Sequence, residues 1–488
     1  MRSNGILCAI SSLPSKYGVG DLGYPSYQFA KELKEAGIKY WQILPLNPTD
    51  VVNSPYASEC DLGIDYVYVS LELLKEEGYL KNIKKFAYNE ERVNYREVRA
   101  FKDYYLRKAF KNQNDLENSD YLNFVSDNPW VKKYALFKIL SKKYHGAVPY
   151  EWKKKDRDLF YKDKKFSQKD IKEMNFVMWV QFILNKQLNL LKKVLKENEV
   201  ILIGDIPFYV GLNSSDFIAN IDNFVTDEND CPSLVAGVPP DYFSPLGQLW
   251  GNPIYDVKFM KEDNYSFFLN RIRSALKKYD VLRLDHFRAF DTYYEVPFGS
   301  ENAINGKWKN GLGSEFFDIL KEENLLDRII VEDLGDVFPS VYQLRDKYNL
   351  PGMNIIQFTM FDKKFDYIEN QVIYTGTHDN DTIVGFYKKM SNEDKELLKI
   401  KFRYENIDAK LKTNMKFIEF AFKQDAYLVI VPVQDYLGLS NKYRMNVPGI
   451  GKEGANWGYR LSSFKDFEKV IPEIKKLIKK YNRWLMLV

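Results

Sequence analysis

Val281-Leu282-Arg283-Leu284-Asp285-His286 is a short run, apolar at Val281, Leu282 and Leu284, that leads into the acid Asp285 and a histidine. Two further stretches repeat the pattern: Ile329-Ile330-Val331-Glu332-Asp333 and Val372-Ile373-Tyr374-Thr375-Gly376-Thr377-His378-Asp379-Asn380. A run of four to six residues rich in Val, Ile and Leu fits a strand buried on both faces of a parallel sheet. An acid just past such a strand stands at its C-terminal end. In a barrel of parallel strands, those ends converge on one face. The pattern therefore predicts that Asp285, Glu332 and Asp379 meet in one pocket, and converging carboxylates are what glycosidic-bond chemistry needs.

Working outward, further strand-like runs lie at 5–10, 40–44, 200–205, 354–358 and 427–433. Together with the first three they make eight, at 5–10, 40–44, 200–205, 281–285, 329–332, 354–358, 372–375 and 427–433. Helical stretches alternate with them, such as 27–36, closed by Gly37 as a C-cap, and 265–278. A last amphipathic helix is expected at 472–481. The alternation predicts an α/β fold of the (β/α)8 TIM-barrel class. The strand rhythm stops between Asp65 and Asn198, where the chain is charged, aromatic and helical in pattern, with Ser167 as an N-cap. The expected organisation is a catalytic barrel from 1–64 and 199–488, interrupted by a mainly helical inserted subdomain at 65–198. Residues 231–253 are rich in Pro and Gly and read as a long irregular loop, but Tyr242, Phe243 and Trp250 argue against disorder.

Composition narrows the class. The 488 residues carry 71 basic and 67 acidic side chains, a net charge of +4, so no nucleic-acid partner is expected. Lys-rich helical stretches read as solvated faces. No apolar run approaches 18 residues, so no membrane span is expected, and 6–10 is too short for a signal sequence. Cys8, Cys60 and Cys231 form neither a disulfide framework nor a zinc motif, which fits a reducing, cytoplasmic setting. With three histidines and no Cys/His cluster, neither a metal site nor a cofactor is expected. Aromatic residues reach 16%. Most read as core, with some lining a groove where they pack on the apolar faces of sugars.

The acids have specific companions. Arg283 precedes Asp285 by two, and on a strand such residues share a face. Its guanidinium can hold the carboxylate ionised, as a nucleophile requires; the alternative is a plain structural ion pair. Glu332 adjoins Asp333, and a neighbouring carboxylate raises the pKa of one partner, which suits a general acid. His286 and His378 directly adjoin Asp285 and Asp379.

Arg283-x-Asp285, Glu332 and His378-Asp379 resemble the strand-end signatures of the α-amylase clan. More of the chain narrows this resemblance: Ser12-Leu13-Pro14, Asn53-Ser54-Pro55-Tyr56, Gly204-Asp205-Ile206-Pro207, the segment 237–253, Gln434-Asp435-Tyr436-Leu437-Gly438, and Arg444-Met445-Asn446-Val447-Pro448-Gly449. In this order, over nearly the whole chain, they resemble the amylomaltases, or 4-α-glucanotransferases. The resemblance implies Asp285 as nucleophile, Glu332 as general acid/base and Asp379 as transition-state stabiliser. It implies substrate contacts from Tyr56, Asp205, Asp241, Tyr242, Phe243, Trp250, Arg283, His378 and Asn446. The substrates implied are α-1,4-glucans and maltooligosaccharides, with no cofactor or metal. The activity implied is transfer of a glucan segment to the 4-hydroxyl of an acceptor. An α-amylase-like retaining hydrolase and a non-catalytic glucan-binding protein are the competing readings.

Overall fold

Eight short parallel strands curl into a barrel in the structure, a computed structural model that describes residues 2–162, 165–240, 244–335, 338–362, 366–449, 454 and 456–484. They are β1 (Ser3–Leu7), β2 (Tyr40–Gln42), β3 (Ile201–Ile206), β4 (Val281–Leu284), β5 (Ile329–Val331), β6 (Gly352–Ile355), β7 (Gln371–Tyr374) and β8 (Leu428–Pro432). Parallel pairing runs without a break from β6 through β7, β8, β1, β2, β3 and β4 to β5. The strands are apolar along most of their length because helices cover one face and the barrel interior the other. Their residues are buried almost throughout. The fold is a (β/α)8 TIM barrel.

The seam between β5 and β6 is closed differently. One backbone bond crosses it, from Val331 N–H to the Pro351 carbonyl at 3.0 Å. Beside it the Asp333 carboxylate accepts from Met353 N–H at 2.8 Å and from Arg345 Nη1 at 2.6 Å. Gly352 makes room for this clasp, since a Cβ there would meet Asp333 Oδ2 at 2.5 Å.

Two strands are offset from expectation. β1 ends at Leu7, and Ile10–Ser12 is a single helical turn. β6 ends at Ile355 and passes into the helical turn Ile356–Thr359. In both places apolar residues continue past the strand, into a buried turn after β1 and into a turn carrying the exposed Phe358 after β6, so hydrophobicity alone does not mark the strand's end. The helix Tyr24–Ala36 ends at Gly37, whose φ of 76° is the left-handed cap that glycine supplies without strain.

Within 65–198 the chain forms the helices Leu71–Glu76, Tyr95–Asn112, Ser119–Asp127, Trp130–Lys143 and Gln168–Glu197. The last is 30 residues long, with Ser167 capping its N-terminus. Two of its glutamines act as artificial strand partners. Gln181 bonds both N–H and carbonyl of Ile64 at 2.9 and 2.8 Å, and Gln187 does the same for Ser70 at 2.7 and 3.0 Å. The helix packs on both Tyr24–Ala36 and β3. It thereby also serves as the crossover helix between β2 and β3. Among the described residues no helix is long and apolar enough to cross a membrane.

The stretch 231–253 is not an irregular loop. It supplies Leu234–Val238 and Gln248–Pro253 to a four-stranded antiparallel sheet completed by Thr292–Pro297 and Lys307–Asn310. The edge strand Gln248–Pro253 is largely exposed and interrupted by Gly251, and a bulge separates Val235 from Gly237. Neither strand alternates cleanly. Leu234–Val238 also pairs with Thr292–Pro297, more than fifty residues downstream and beyond the reach of local pattern.

Candidate active site

Buried rings support the tip of β4. Phe287 and Phe290 pack with Phe317 at 5.3–5.8 Å between ring centroids, and Phe208, Phe268 and Phe316 extend the cluster. Much of the chain's aromatic content is spent on such packing, which fixes where Asp285 emerges.

β3 and β4 are paired so that Asp205 lies opposite Arg283. Arg283 Nη1 stands 2.8 Å from both oxygens of Asp205 and 2.8 Å from Asp285 Oδ1. Tyr56, on the loop after β2, donates its hydroxyl to Asp205 Oδ2 at 2.6 Å and stacks on His378 at 4.9 Å. His378 Nε2 lies 3.3 Å from Asp379 Oδ2, and Asn446 Nδ2 donates to Asp379 Oδ1 at 2.6 Å. One continuous polar chain therefore runs from Asp285 through Arg283, Asp205, Tyr56 and His378 to Asp379.

Glu332 sits at the tip of β5, partly buried. Its carboxylate accepts from the backbone N–H of His286 at 2.8 Å. Burial, and then the negative charge of Asp285, push its pKa from 4.5 to about 8, so it keeps its proton at neutral pH. Arg283 offsets this in part. Asp333 contributes least of the named causes, because its carboxylate faces the β5–β6 seam. The expected influence of Asp333 on Glu332 is present but outweighed by that of burial and Asp285. Asp379 is the opposite case. Burial pushes it up, but the charge and hydrogen bond of His378, with Asn446 and Arg283, more than reverse this. Its carboxyl lies well below the usual carboxylate range. For His378, burial favours the neutral ring and Asp379 more than offsets it, so the pKa rises.

Asp285, Glu332, Asp379, Arg283, Tyr56 and Trp250 line one cleft of about 360 Å3 at the C-terminal ends of the strands. Asp205 and His378 stand just behind it, and Asn446 touches it through Asp379. Asp241, Tyr242 and Phe243 lie outside the described residues. Other lining residues went unrecognised in the sequence: Tyr209, Asn252, His286 and Phe358. His286 carried a signal, its adjacency to Asp285. Trp457 packs 5.9 Å from Tyr56 and 5.7 Å from His378, in a left-handed conformation with φ 62°. Arg444 donates to the Asp379 carbonyl at 2.6 Å and to Asp381 at 2.6 Å, pinning that loop. Arg271 gave no signal, because an arginine in a helical pattern reads as solvated. It is fully buried, bound to Asp61 on the loop that carries Tyr56 and to the carbonyls of Pro207 and Phe208 just beyond β3.

A TIM barrel whose strand tips gather three carboxylates, one holding its proton at neutral pH and one strongly ionised, belongs to the class of barrel enzymes equipped for glycosidic-bond chemistry. The profile of the 4-alpha-glucanotransferase family matches residues 8–465. The 4-alpha-glucanotransferase of Aquifex aeolicus is 36% identical, with 99% of this chain and 100% of that one covered. That of Clostridium butyricum is 34% identical over 97% of this chain and 99% of its own. Among solved structures, the amylomaltase of Streptococcus agalactiae in complex with acarbose superposes with a TM-score of 0.92 at 30% identity, covering 99% and 100% of the two chains. The chain belongs to the 4-alpha-glucanotransferase family.

Proposed function

We propose that this enzyme moves α-1,4-glucan segments from a donor to the 4-hydroxyl of an acceptor glucan or glucose by retaining double displacement. Glu332, protonated, donates to the glycosidic oxygen as the bond to the leaving glucan lengthens. Asp285 attacks the anomeric carbon and forms a β-linked glycosyl-enzyme, releasing the leaving glucan with Glu332's proton. Asp379 bonds ring hydroxyls more tightly as the ring flattens towards an oxocarbenium ion. The ionised Glu332 then takes the proton of the acceptor 4-hydroxyl, whose oxygen displaces Asp285. Two inversions retain the α configuration and regenerate both carboxyl groups.

The observation that carries this reading is the contrast between neighbouring carboxyls: Glu332 pushed up to about 8, and Asp285 in contact with Arg283. A general acid must hold its proton, and a nucleophile suits a carboxylate faced by a cation. Tyr56, Asp205, Trp250, Arg283, His378 and Asn446 are taken as sugar-binding residues, with Asp241, Tyr242 and Phe243 completing the groove. Residues 65–198 are read as an inserted helical subdomain between the barrel segments 1–64 and 199–488. The free thiols of Cys8, Cys60 and Cys231 support a cytoplasmic setting.

Incubation with maltotriose alone, followed by size separation, tests the proposal. Glucans longer than maltotriose are expected. Glucose and maltose without longer products would instead assign the enzyme as a hydrolase of the α-amylase type.

A further inference from the structure

The backbone just past the nucleophile is tied to Glu332 at three points. Glu332 N–H donates to the Leu284 carbonyl at 2.9 Å, and Phe287 N–H donates to the Glu332 carbonyl at 2.9 Å. Between them, His286 N–H donates to the Glu332 side chain at 2.8 Å. This last bond coincides with an unusual backbone. His286 has φ 52°, in the left-handed region, where the other non-glycine residues described are mostly Asn or Asp. The imidazole is held edge-on against Trp250 at 4.9 Å and lies 6.2 Å from Tyr209. Strain of this kind persists where the surroundings impose it, and it clusters at functional sites.

We propose that His286 is a positioning residue for Glu332, which uses the left-handed twist of its backbone, rather than its ring, to aim an amide at the acid. The inference rests on Glu332 being the general acid. The ring is a poor candidate for moving protons. Burial lowers its pKa, Asp285 opposes this and Arg288 adds to it, leaving it at about 4, so the ring is neutral at neutral pH. The charged groups acting on Glu332 are Asp285, Arg283 and, most weakly, Asp333 from the seam, and none of them changes when His286 is replaced.

The test is a substitution series read by kcat and its pH profile. Asn and Gly accept the left-handed conformation, Ala accepts it less well, and Val resists it. H286N and H286G are expected to lose least, about threefold, H286A about tenfold and H286V about 100-fold, with the loss in kcat rather than KM. The amide bond favours the ionised carboxylate, so losing it raises the pKa of Glu332. The alkaline limb of the H286V profile should therefore move to higher pH, while those of H286N and H286G stay in place. If H286N and H286G fall as far as H286V, or if the H286V limb does not move, the proposal is wrong. Should H286V show no cooperative melt, H286A decides, and activity equal to or above both H286N and H286G overturns the inference. E332Q separates the two levels. Sustained turnover in E332Q defeats the reading of the site, whereas an inactive E332Q with the wrong order at position 286 defeats only the role given to His286.

Discussion

The tips of β4 and β5 carry carboxyls that share one cleft and are treated in opposite ways. At β4, a guanidinium is wedged between Asp205 and Asp285 and touches both at 2.8 Å. At β5, Glu332 receives a neutral amide, and burial, followed by the negative charge of Asp285, keeps its proton on. The difference teaches that the contrast between the two carboxyls depends on where the cleft's buried cation, Arg283, is placed. Arg283 faces β3 because register sets it opposite Asp205, and that leaves β5 as the tip where a carboxylic acid survives at neutral pH.

The contrast can be broken most sharply at β4. Asp285→Asn is expected to lower kcat on maltotriose by about 10⁴-fold or more while leaving the thermal melt cooperative. An active D285N enzyme would overturn the proposed role of Asp285 as nucleophile. Glu332→Gln should cost about 10²–10⁴-fold in turnover. It also carries a stability signature. The folded-state pKa of Glu332 is raised, so the native state loses stability as pH rises from 4.5 through about 8, and a glutamine is spared that loss. The melting temperature of E332Q should gain on wild type between pH 5 and pH 9, and a gap independent of pH would show that Glu332 does not titrate as described. Arg283→Met strips the cation from Asp205 and Asp285 and is expected to destabilise by about 3–5 kcal/mol, measured by denaturant unfolding near neutral pH. Little change would mean that the ion pair is not what sets β4 apart. The smallest effect is expected on the far wall. Asn446→Ala removes the 2.6 Å donor to Asp379 and should lower kcat about tenfold while moving the acid limb of its profile upward.

Much of this arrangement was legible before any coordinates. Acids that end apolar runs stand at strand tips, and Arg283-x-Asp285 on one face is a consequence of the strand's two-residue period. Other parts were hidden for definite reasons. The opposition of Asp205 and Arg283 is set by the register between β3 and β4, which sequence spacing does not encode. The cause of the raised Glu332 pKa is spatial, and Asp333, adjacent in sequence, is turned to the seam. The small antiparallel sheet pairs segments far apart, with glycines and a bulge where alternation would be sought. Arg271 resembles any solvated helical arginine until Asp61 is seen beside it.

The clasp between β5 and β6 sets where the ring of strands can yield. Elsewhere neighbouring strands share a ladder, but here one carbonyl and one carboxylate carry the junction, and Arg345 holds the carboxylate in place. Small separations at this junction would move Glu332 together with Asp285, Arg283 and Asp205, which share one ladder of strands, relative to Asp379 beyond β7. The cleft would then widen at the least stitched edge of the barrel, with the contacts among the β3, β4 and β5 tips kept.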